Sequence, residues 1–150
     1  MKSNKNFDEK VVLKPWGNEY VILRNKKLCI TQLRITPKSS TSLHCHVKKK
    51  TGFIVLEGKA SIQLGLYKST SEILTAPSKI MIRPGLFHKI TSVGKKDLIA
   101  IEIEAPSDKY DLIRFEDKYG RSKKNYETKN LLSKKNFIYK IDKINTNRDK

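Results

Sequence analysis

Between residues 15 and 105 the chain alternates short β-type segments with turn residues, and this pattern restricts the fold more than any other feature. The turns at 36–40, 57–59 and 76–78 are built from Pro, Gly, Ser and Lys. No long helical pattern separates the segments, so a parallel α/β sheet is not expected. Short strands at this spacing predict an all-β, antiparallel sandwich or barrel. The expected strands are 19–24, 28–35, 42–47, 51–56, 60–66, 71–75, 79–82, 87–93 and 98–104.

The two ends of the chain differ from this middle part, although 150 residues suffice for only one domain. Residues 1–14 are expected to be a loose lead-in, and 15–121 to be the folded domain. After residue 104 the strand pattern breaks, and Ser107 or Asp108 is placed to cap a short helix. Residues 122–150 form a basic tail with a weak helical spacing of apolar side chains. A short helical tail and a disordered tail are both compatible with it.

The net charge of +17, from 32 Lys and Arg against 15 Asp and Glu, raises the question of a nucleic-acid partner. Lysine supplies 26 of the basic residues, whereas contacts to base edges favour arginine. The charge is also spread out, with 22 basic and 12 acidic residues in 1–120 and 10 and 3 in 121–150. We therefore expect no specific nucleic-acid partner and an attraction for anionic metabolites instead.

Three further observations predict a cytoplasmic protein without a membrane partner. The longest apolar runs have about four residues, which is too short for a transmembrane helix. The N-terminus lacks the apolar core of a signal peptide. Cys29 and Cys45 form neither a CxxC pair nor a disulfide framework, as is typical of a reducing compartment.

The three histidines are the candidates for a metal site. His44 and His46 are two residues apart on an expected strand, so their side chains share one face and Cys45 lies on the other. His88 follows the Pro84-Gly85 turn, which can return its imidazole toward the first two. Three converging neutral imidazoles suit a divalent ion such as Zn, Mn, Fe, Ni or Cu. The alternative is a set of buried histidines that only make hydrogen bonds.

The spacing around these histidines resembles the two motifs of the cupin family. His44, His46, Thr51 and Gly58 follow the order of the first motif, and the PGLFH segment at 84–88 resembles the PxGxxH-type second motif. Two flanking segments are more specific: KPWG at 14–17 and DLIRFEDKYGR at 111–121. They resemble the opening and closing segments of the cupin domain in type II mannose-6-phosphate isomerases. The same domain is fused to mannose-1-phosphate guanylyltransferase in bifunctional enzymes.

The resemblance implies an antiparallel jelly-roll barrel, commonly dimeric, with a divalent metal ion near its centre and a sugar phosphate or nucleotide sugar as partner. We expect a homodimer formed partly through Trp16 and strand 19–24, because short barrels leave edge strands that need cover. Trp16 alternatively stacks on a sugar or packs the entry strand.

Two positions depart from the family pattern. The isomerase cupins usually have a glutamate ligand where this chain has Thr51, and a glutamine where it has His44. The implied metal ligands are therefore His44, His46 and His88 without a carboxylate. A neutral hydroxyl is a poor ligand, so the bound ion keeps one more positive charge and we expect a weaker affinity.

Isomerisation of a sugar phosphate also needs a cationic pocket for the phosphate, and arginine binds phosphate bidentately. Arg114 and Arg121 have the alternative of pairing with acidic residues in 111–117. The candidate phosphate-binding residues are Arg114, Lys118, Arg121 and Arg83.

The reaction further needs a base that moves a proton between adjacent carbons. Glu102 is the candidate, although alternation along 98–104 equally lets Ile99, Ile101 and Ile103 point inward. The lysine run 48–50 is expected to be a solvated turn near the barrel mouth.

Three functions stay open from sequence. The first is a metal-dependent sugar-phosphate isomerase of surface-polysaccharide synthesis. The second is a non-catalytic cupin that binds a sugar, which the loss of the ligand glutamate favours. The third is a three-histidine iron dioxygenase, against which the RFEDKYGR segment argues.

Overall fold

The structure is a computed structural model that describes residues 10–116 and 130–131. The nine expected strands correspond to β2 through β10, with ends that differ by no more than two residues. The strands are β1 (Lys10–Lys14), β2 (Gly17–Arg24), β3 (Cys29–Ile35), β4 (Leu43–Cys45), β5 (Lys50–Glu57), β6 (Lys59–Leu64), β7 (Ser71–Thr75), β8 (Ser78–Ile82), β9 (His88–Ser92), β10 (Leu98–Ala105), β11 (Ile113–Glu116) and β12 (Asn130–Leu131).

The strands form two antiparallel sheets, ordered β12-β1-β2-β3-β10-β5-β8 and β11-β4-β9-β6-β7. Strand β10 lies between β3 and β5, so it closes the larger sheet by contacts between distant parts of the sequence. In the smaller sheet β9 lies between β4 and β6 and brings His88 directly opposite His44. The all-β, antiparallel jelly-roll expectation is confirmed.

One hydrophobic core lies between the sheets. Leu33, Val55 and Leu98 come from the larger sheet, and Ile62 and Ile90 come from the smaller one. These side chains are at most 2% exposed, because alternation places every second residue of each strand inside. The core therefore fixes the separation of the two sheets and, with it, the position of the histidines at one end.

The expectation of a loose lead-in is wrong for β1. This strand pairs with β2 along its whole length, from Lys10 opposite Val21 to Lys14 opposite Gly17. Val11 is 1% exposed and packs with Tyr20 in a small cluster of its own. Three consecutive apolar residues between two lysines do not alternate and give only a weak strand signal, and the long neighbouring strand supplies the missing stabilisation.

Trp16 packs in the main core and is 4% exposed. Of the readings open from sequence, packing near the entry strand is therefore confirmed. A dimer contact through Trp16 does not fit a side chain enclosed in this way. Strand β2 is also flanked on both sides, by β1 and β3, so it is no open edge. The homodimer itself stays a prediction.

The helix expected after Ser107 or Asp108 does not form. The Asp108 side chain accepts a hydrogen bond from the Tyr110 backbone N–H (2.9 Å), which closes a tight turn instead. The chain then continues into β11, which pairs with β4.

The basic tail contributes β12, which pairs with β1. The remaining tail residues, for which a helix and disorder were the alternatives, lie outside the described residues. Within 10–116 and 130–131, no helix has the length and hydropathy needed to cross a membrane.

Candidate metal centre

Three histidine side chains converge at one end of the barrel. Their ring centroids are 5.1 Å apart for His44 and His46, 4.6 Å for His44 and His88, and 5.5 Å for His46 and His88. One nitrogen of each ring lies within 4.8 Å of its counterparts. Metal–nitrogen bonds of about 2 Å allow ligand atoms up to about 4 Å apart, so small side-chain adjustments would let one ion contact all three.

Backbone carbonyls orient each imidazole through its Nδ1 atom. His46 Nδ1 lies 2.6 Å from the Asp111 carbonyl oxygen, and His88 Nδ1 lies 3.0 Å from that of Leu86. His44 Nδ1 lies 2.9 Å from both the carbonyl oxygen and the hydroxyl of Ser42. An Nδ1–H that donates to a carbonyl leaves Nε2 unprotonated in the neutral ring and free to bind a metal ion.

Burial favours the neutral form of two of the three imidazoles, those of His44 and His88. Burial lowers the pKa of His88 to about 4. Burial also lowers the pKa of His44 well below 6.5, and repulsion from the charged forms of His88 and His46 adds to this effect. Neutral imidazole is the form that binds metals, so these ligands need no deprotonation.

The chemistry of the donor set fits a divalent ion. His88 is 1% exposed, and its Nε2 atom has no hydrogen-bond partner among the described residues. A buried polar atom without a partner costs about 1–3 kcal/mol, so such an atom calls for an explanation. A metal ion between the three rings would satisfy this nitrogen.

Thr51 occupies the interior face of β5. It is 1% exposed, and alternation places it on the same face as Phe53, whose ring packs against His88 at a centroid distance of 6.2 Å. The Thr51 hydroxyl has no hydrogen-bond partner among the described residues. A neutral hydroxyl therefore stands on the interior face where the resemblance leads one to expect a carboxylate.

An open cavity leads from solvent to the histidines. Charged side chains supply much of its lining, and Glu102 and Arg114 are both among them. The residues that line it are Lys14, Trp16, Glu19, Leu33, Thr41, Ser42, His44, His46, Glu102, Glu104, Leu112 and Arg114. Glu102 therefore lies on the interior side of β10, and the inward orientation of Ile101 and Ile103 is wrong. Leu98 packs in the core, and alternation from it places Ala100, Glu102 and Glu104 on the same inward face. The register of this strand with β3 is regular from Leu98 to Glu104.

A buried ion pair joins Lys49 to Glu104, with side chains that are 3% and 8% exposed. The expectation of a fully solvated lysine turn is therefore wrong for Lys49, although Lys48 and Lys50 are exposed. Burial raises the pKa of Glu104, but Lys49, Glu102 and His46 together hold it below its usual value. Sequence reasoning missed Glu104, yet its position two residues after Glu102 on a strand already placed both on one face.

Asp111 anchors the loop that carries His46 into the site. Its carboxylate accepts hydrogen bonds from the backbone N–H groups of Val47, Lys48 and Lys49, at 2.8, 2.9 and 2.9 Å. Burial raises the pKa of Asp111, but these three donors outweigh that effect and lower it overall. The Asp111 carboxylate, an expected ion-pair partner of Arg114, thus binds backbone N–H groups.

Of the candidate phosphate-binding residues, only Arg114 lines the cavity among those that the structure describes. Arg114 stands opposite His44 in the pairing of β11 with β4 and lines the cavity. Arg83 is exposed, lies beside Pro84 and is not among the lining residues. Lys118 and Arg121 lie outside the described residues. Cys45 is 4% exposed, and burial raises the pKa of its thiol, which disfavours the reactive thiolate form.

The chain is similar to known proteins both in sequence and in fold. The sequence model of the family described as "Mannose-6-phosphate isomerase C-terminal" matches residues 2–117. Xanthan biosynthesis protein XanB of Xanthomonas campestris is 29% identical over 113 residues, which cover 74% of this chain and 24% of that protein. A mannose-1-phosphate guanylyltransferase of Salmonella montevideo is 26% identical over 121 residues, covering 79% and 25%. The chain thus spans about a quarter of the length of these relatives.

Solved structures share the fold at lower identity. The capsular polysaccharide assembling protein CapF from Staphylococcus aureus superimposes with a TM-score of 0.61 at 19% identity, over 71% of this chain and 34% of that one. A protein with a double-stranded β-helix domain from Klebsiella pneumoniae superimposes with a TM-score of 0.60 at 19% identity. The superposition covers 78% of this chain and 90% of that one. These similarities establish the architecture of the barrel.

Proposed function

The chain belongs to the mannose-6-phosphate isomerase C-terminal family of cupins, and from that premise we propose a metal-dependent enzyme that acts on a sugar phosphate or nucleotide sugar. The proposed reaction is an aldose–ketose isomerisation of the mannose-6-phosphate isomerase type, in surface-polysaccharide synthesis. The ion is Zn, Mn, Fe or Ni, and its ligands are His44, His46 and His88.

The observation that carries the proposal is the unpartnered, buried Nε2 of His88 beside two further imidazoles with oriented Nδ1 atoms. A cluster of purely structural histidines would leave this nitrogen unsatisfied, at a cost in folding free energy. A metal centre removes that cost and uses all three ring orientations.

The remaining cavity residues supply the other requirements of the reaction. When bound, a divalent ion polarises the carbonyl of the substrate. Glu102 faces the same cavity and is the group that we propose to move a proton between the adjacent carbons. Arg114 is proposed to bind the phosphate bidentately. Lys118, Arg121 and Arg83 stay candidates for the same anion.

Metal analysis of protein purified without chelator tests the centre directly. We expect about one equivalent of divalent metal ion per chain, and loss of that ion in His88→Ala because a ligand is removed. Lys89→Ala, one residue along β9, is the matched control and should retain the ion. Equal metal content in His88→Ala and the wild type would contradict the proposed site.

Turnover separates catalysis from binding. Mannose 6-phosphate should be isomerised by the metal-loaded chain, and Glu102→Gln should lower kcat by about 10²-fold or more, because a carboxamide cannot accept the proton. Glu72→Gln, on the exposed strand β7, is the control for loss of a carboxylate. Absence of turnover in metal-loaded wild type would overturn the isomerase assignment.

A non-catalytic sugar-binding cupin is the second candidate, and Thr51 favours it because the site lacks the carboxylate ligand. For this alternative, sugar phosphates should raise the melting temperature in a thermal-shift panel while none is converted. Bound iron together with oxygen uptake would instead support the three-histidine dioxygenase.

A further inference from the structure

Thr51 lacks the carboxylate of the family pattern, but a residue on the neighbouring strand carries a carboxylate. In the pairing of β5 with β10, Thr51 stands directly opposite Glu104. Side chains directly opposite in antiparallel strands lie about 4.5–5.5 Å apart at Cβ and share one face of the sheet. A negative charge is therefore present on the interior wall, one strand away from the family position.

Glu104 and the histidines share one environment. Glu104 lines the same cavity as His44 and His46, and its side chain is 8% exposed. A buried carboxylate beside a cation site attracts the cation more strongly than an exposed carboxylate does, because less water screens its charge.

Lys49 opposes that attraction. Its ammonium group contacts the Glu104 carboxylate, and both side chains are buried. The Asp111 carboxylate fixes the Lys49 backbone N–H at 2.9 Å, only three residues after His46. The lysine is thus held where it neutralises Glu104 and repels a cation in the three-histidine site.

We propose that Glu104 supplies the negative charge that Thr51 lacks, and that Lys49 limits how strongly a divalent ion between His44, His46 and His88 experiences it. The inference rests on the metal site of the proposed function. It assigns to Glu104 and Lys49 a positioning role that acts on the affinity of the ion, without direct contact between these residues and substrate.

Charge accounting gives the expected order of affinities. Within the Lys49–Glu104 pair, Glu104→Gln keeps only the positive charge and should bind the ion most weakly, whereas Lys49→Met keeps only the negative charge and should bind it most tightly; the Glu102 charge is the same in all variants. The double variant Lys49→Met/Glu104→Gln has neither charge and should match the wild type within a few-fold. A unit charge several ångström from a cation changes its affinity by about tenfold or more at the effective dielectric constant of proteins.

The experiment measures dissociation constants for Zn²⁺ and Co²⁺ by competition with a chromophoric chelator, on the full chain at one pH and ionic strength. Lys50→Met is the matched control for Lys49→Met, because Lys50 is adjacent and exposed. Glu72→Gln is the control for the lost carboxylate. Neither control should change the affinity by more than about twofold, since exposed charges are screened.

Folding must be checked, because each single variant removes one member of the buried Lys49–Glu104 ion pair. Circular dichroism identifies the variants that retain the β-sheet signature. The double variant contains no unpaired charge, so its comparison with Lys49→Met isolates Glu104, and its comparison with Glu104→Gln isolates Lys49. Either folded single variant is therefore sufficient for the test.

The outcomes separate this inference from the proposed function. The inference and the proposed function are both supported if the affinity for the ion is highest in Lys49→Met, intermediate in the wild type and the double variant, and lowest in Glu104→Gln. Metal binding by the wild type that is unchanged in every charge variant overturns the inference and leaves the metal site intact. Absence of metal binding in the wild type and in all variants overturns both.

Discussion

The interior of the barrel has two ends of opposite character. The apolar end is the core cluster around Leu33, Val55, Ile62, Ile90 and Leu98, and the polar end holds the three histidines, Lys49, Thr51, Glu102 and Glu104. Both ends are built by the same strands: β10 runs from Leu98 and Ala100 to Glu102 and Glu104. These five apolar side chains carry no hydrogen-bonding groups, whereas the polar end contains the Nε2 atom of His88 and the hydroxyl of Thr51, which have no hydrogen-bond partner among the described residues.

This difference teaches that stability and chemistry are placed at separate ends of shared strands. Burial of apolar area at one end stabilises the fold by about 25 cal/mol per Å². That stabilisation offsets the cost of unsatisfied polar groups at the other end, which are the groups that fit a metal ion.

Truncation of the apolar end should give the largest effect. Leu98→Ala should lower the free energy of unfolding by about 2–5 kcal/mol, because the residue is 0% exposed and its removal opens a cavity between the sheets. Urea denaturation measures the loss. Metal content per folded chain should stay unchanged; a variant that is as stable as the wild type would show that the core is not where stability resides.

The stability that Asp111 gives to loop 47–49 at the polar end should decrease in acid. The pKa of Asp111 is lowered in the folded state, so its contribution to stability is present above its unfolded pKa of about 3.9 and is lost as pH falls through the folded value. Each unit of lowering contributes about 1.4 kcal/mol. Urea midpoints between pH 6 and about pH 2 should fall more steeply for the wild type than for Asp111→Asn. Parallel curves would show that this carboxylate does not stabilise the loop.

Restoring the family carboxylate at position 51 should strengthen metal binding at the polar end. Thr51→Glu adds a negative charge and an oxygen donor, so the affinity for a divalent ion should rise about tenfold or more, equivalent to about 1.4 kcal/mol. Without metal the same variant should be less stable than the wild type, because two carboxylates then stand directly opposite each other in β5 and β10. Chelator competition and thermal unfolding, each with and without Zn²⁺, measure the two effects. Unchanged affinity would place the bound ion elsewhere.

Removing the Thr51 hydroxyl should have the smallest effect on the free energy of unfolding. It replaces a polar group at the polar end with an apolar one. Thr51→Val keeps the branched shape and deletes a buried hydroxyl without a partner, so stability should rise by about 1 kcal/mol or less. A loss of stability in urea denaturation would mean that the hydroxyl has a partner in solution, such as a bound water.

Much of this molecule was predictable from local sequence. Period-2 alternation located β2 through β10 and placed His44 and His46 on one face with Cys45 turned away, since these relations depend only on the pleat of a single strand. The same rule left two faces of β10 open, and only the packing of Leu98 in the core decided that Glu102, and not Ile101 or Ile103, faces inward. Strand β1 was missed because its stability comes from β2.

The sequence by itself determined the strands, the turns and the candidate ligands, because side-chain alternation and turn chemistry act over a few residues. Only the tertiary structure decided that Glu104 stands opposite Thr51, that Lys49 is buried against Glu104, and that the Nε2 atom of His88 has no hydrogen-bond partner among the described residues. Each of these depends on the register between strands that are distant along the chain. That register is fixed when the two sheets pack on their shared core, and no local propensity encodes it.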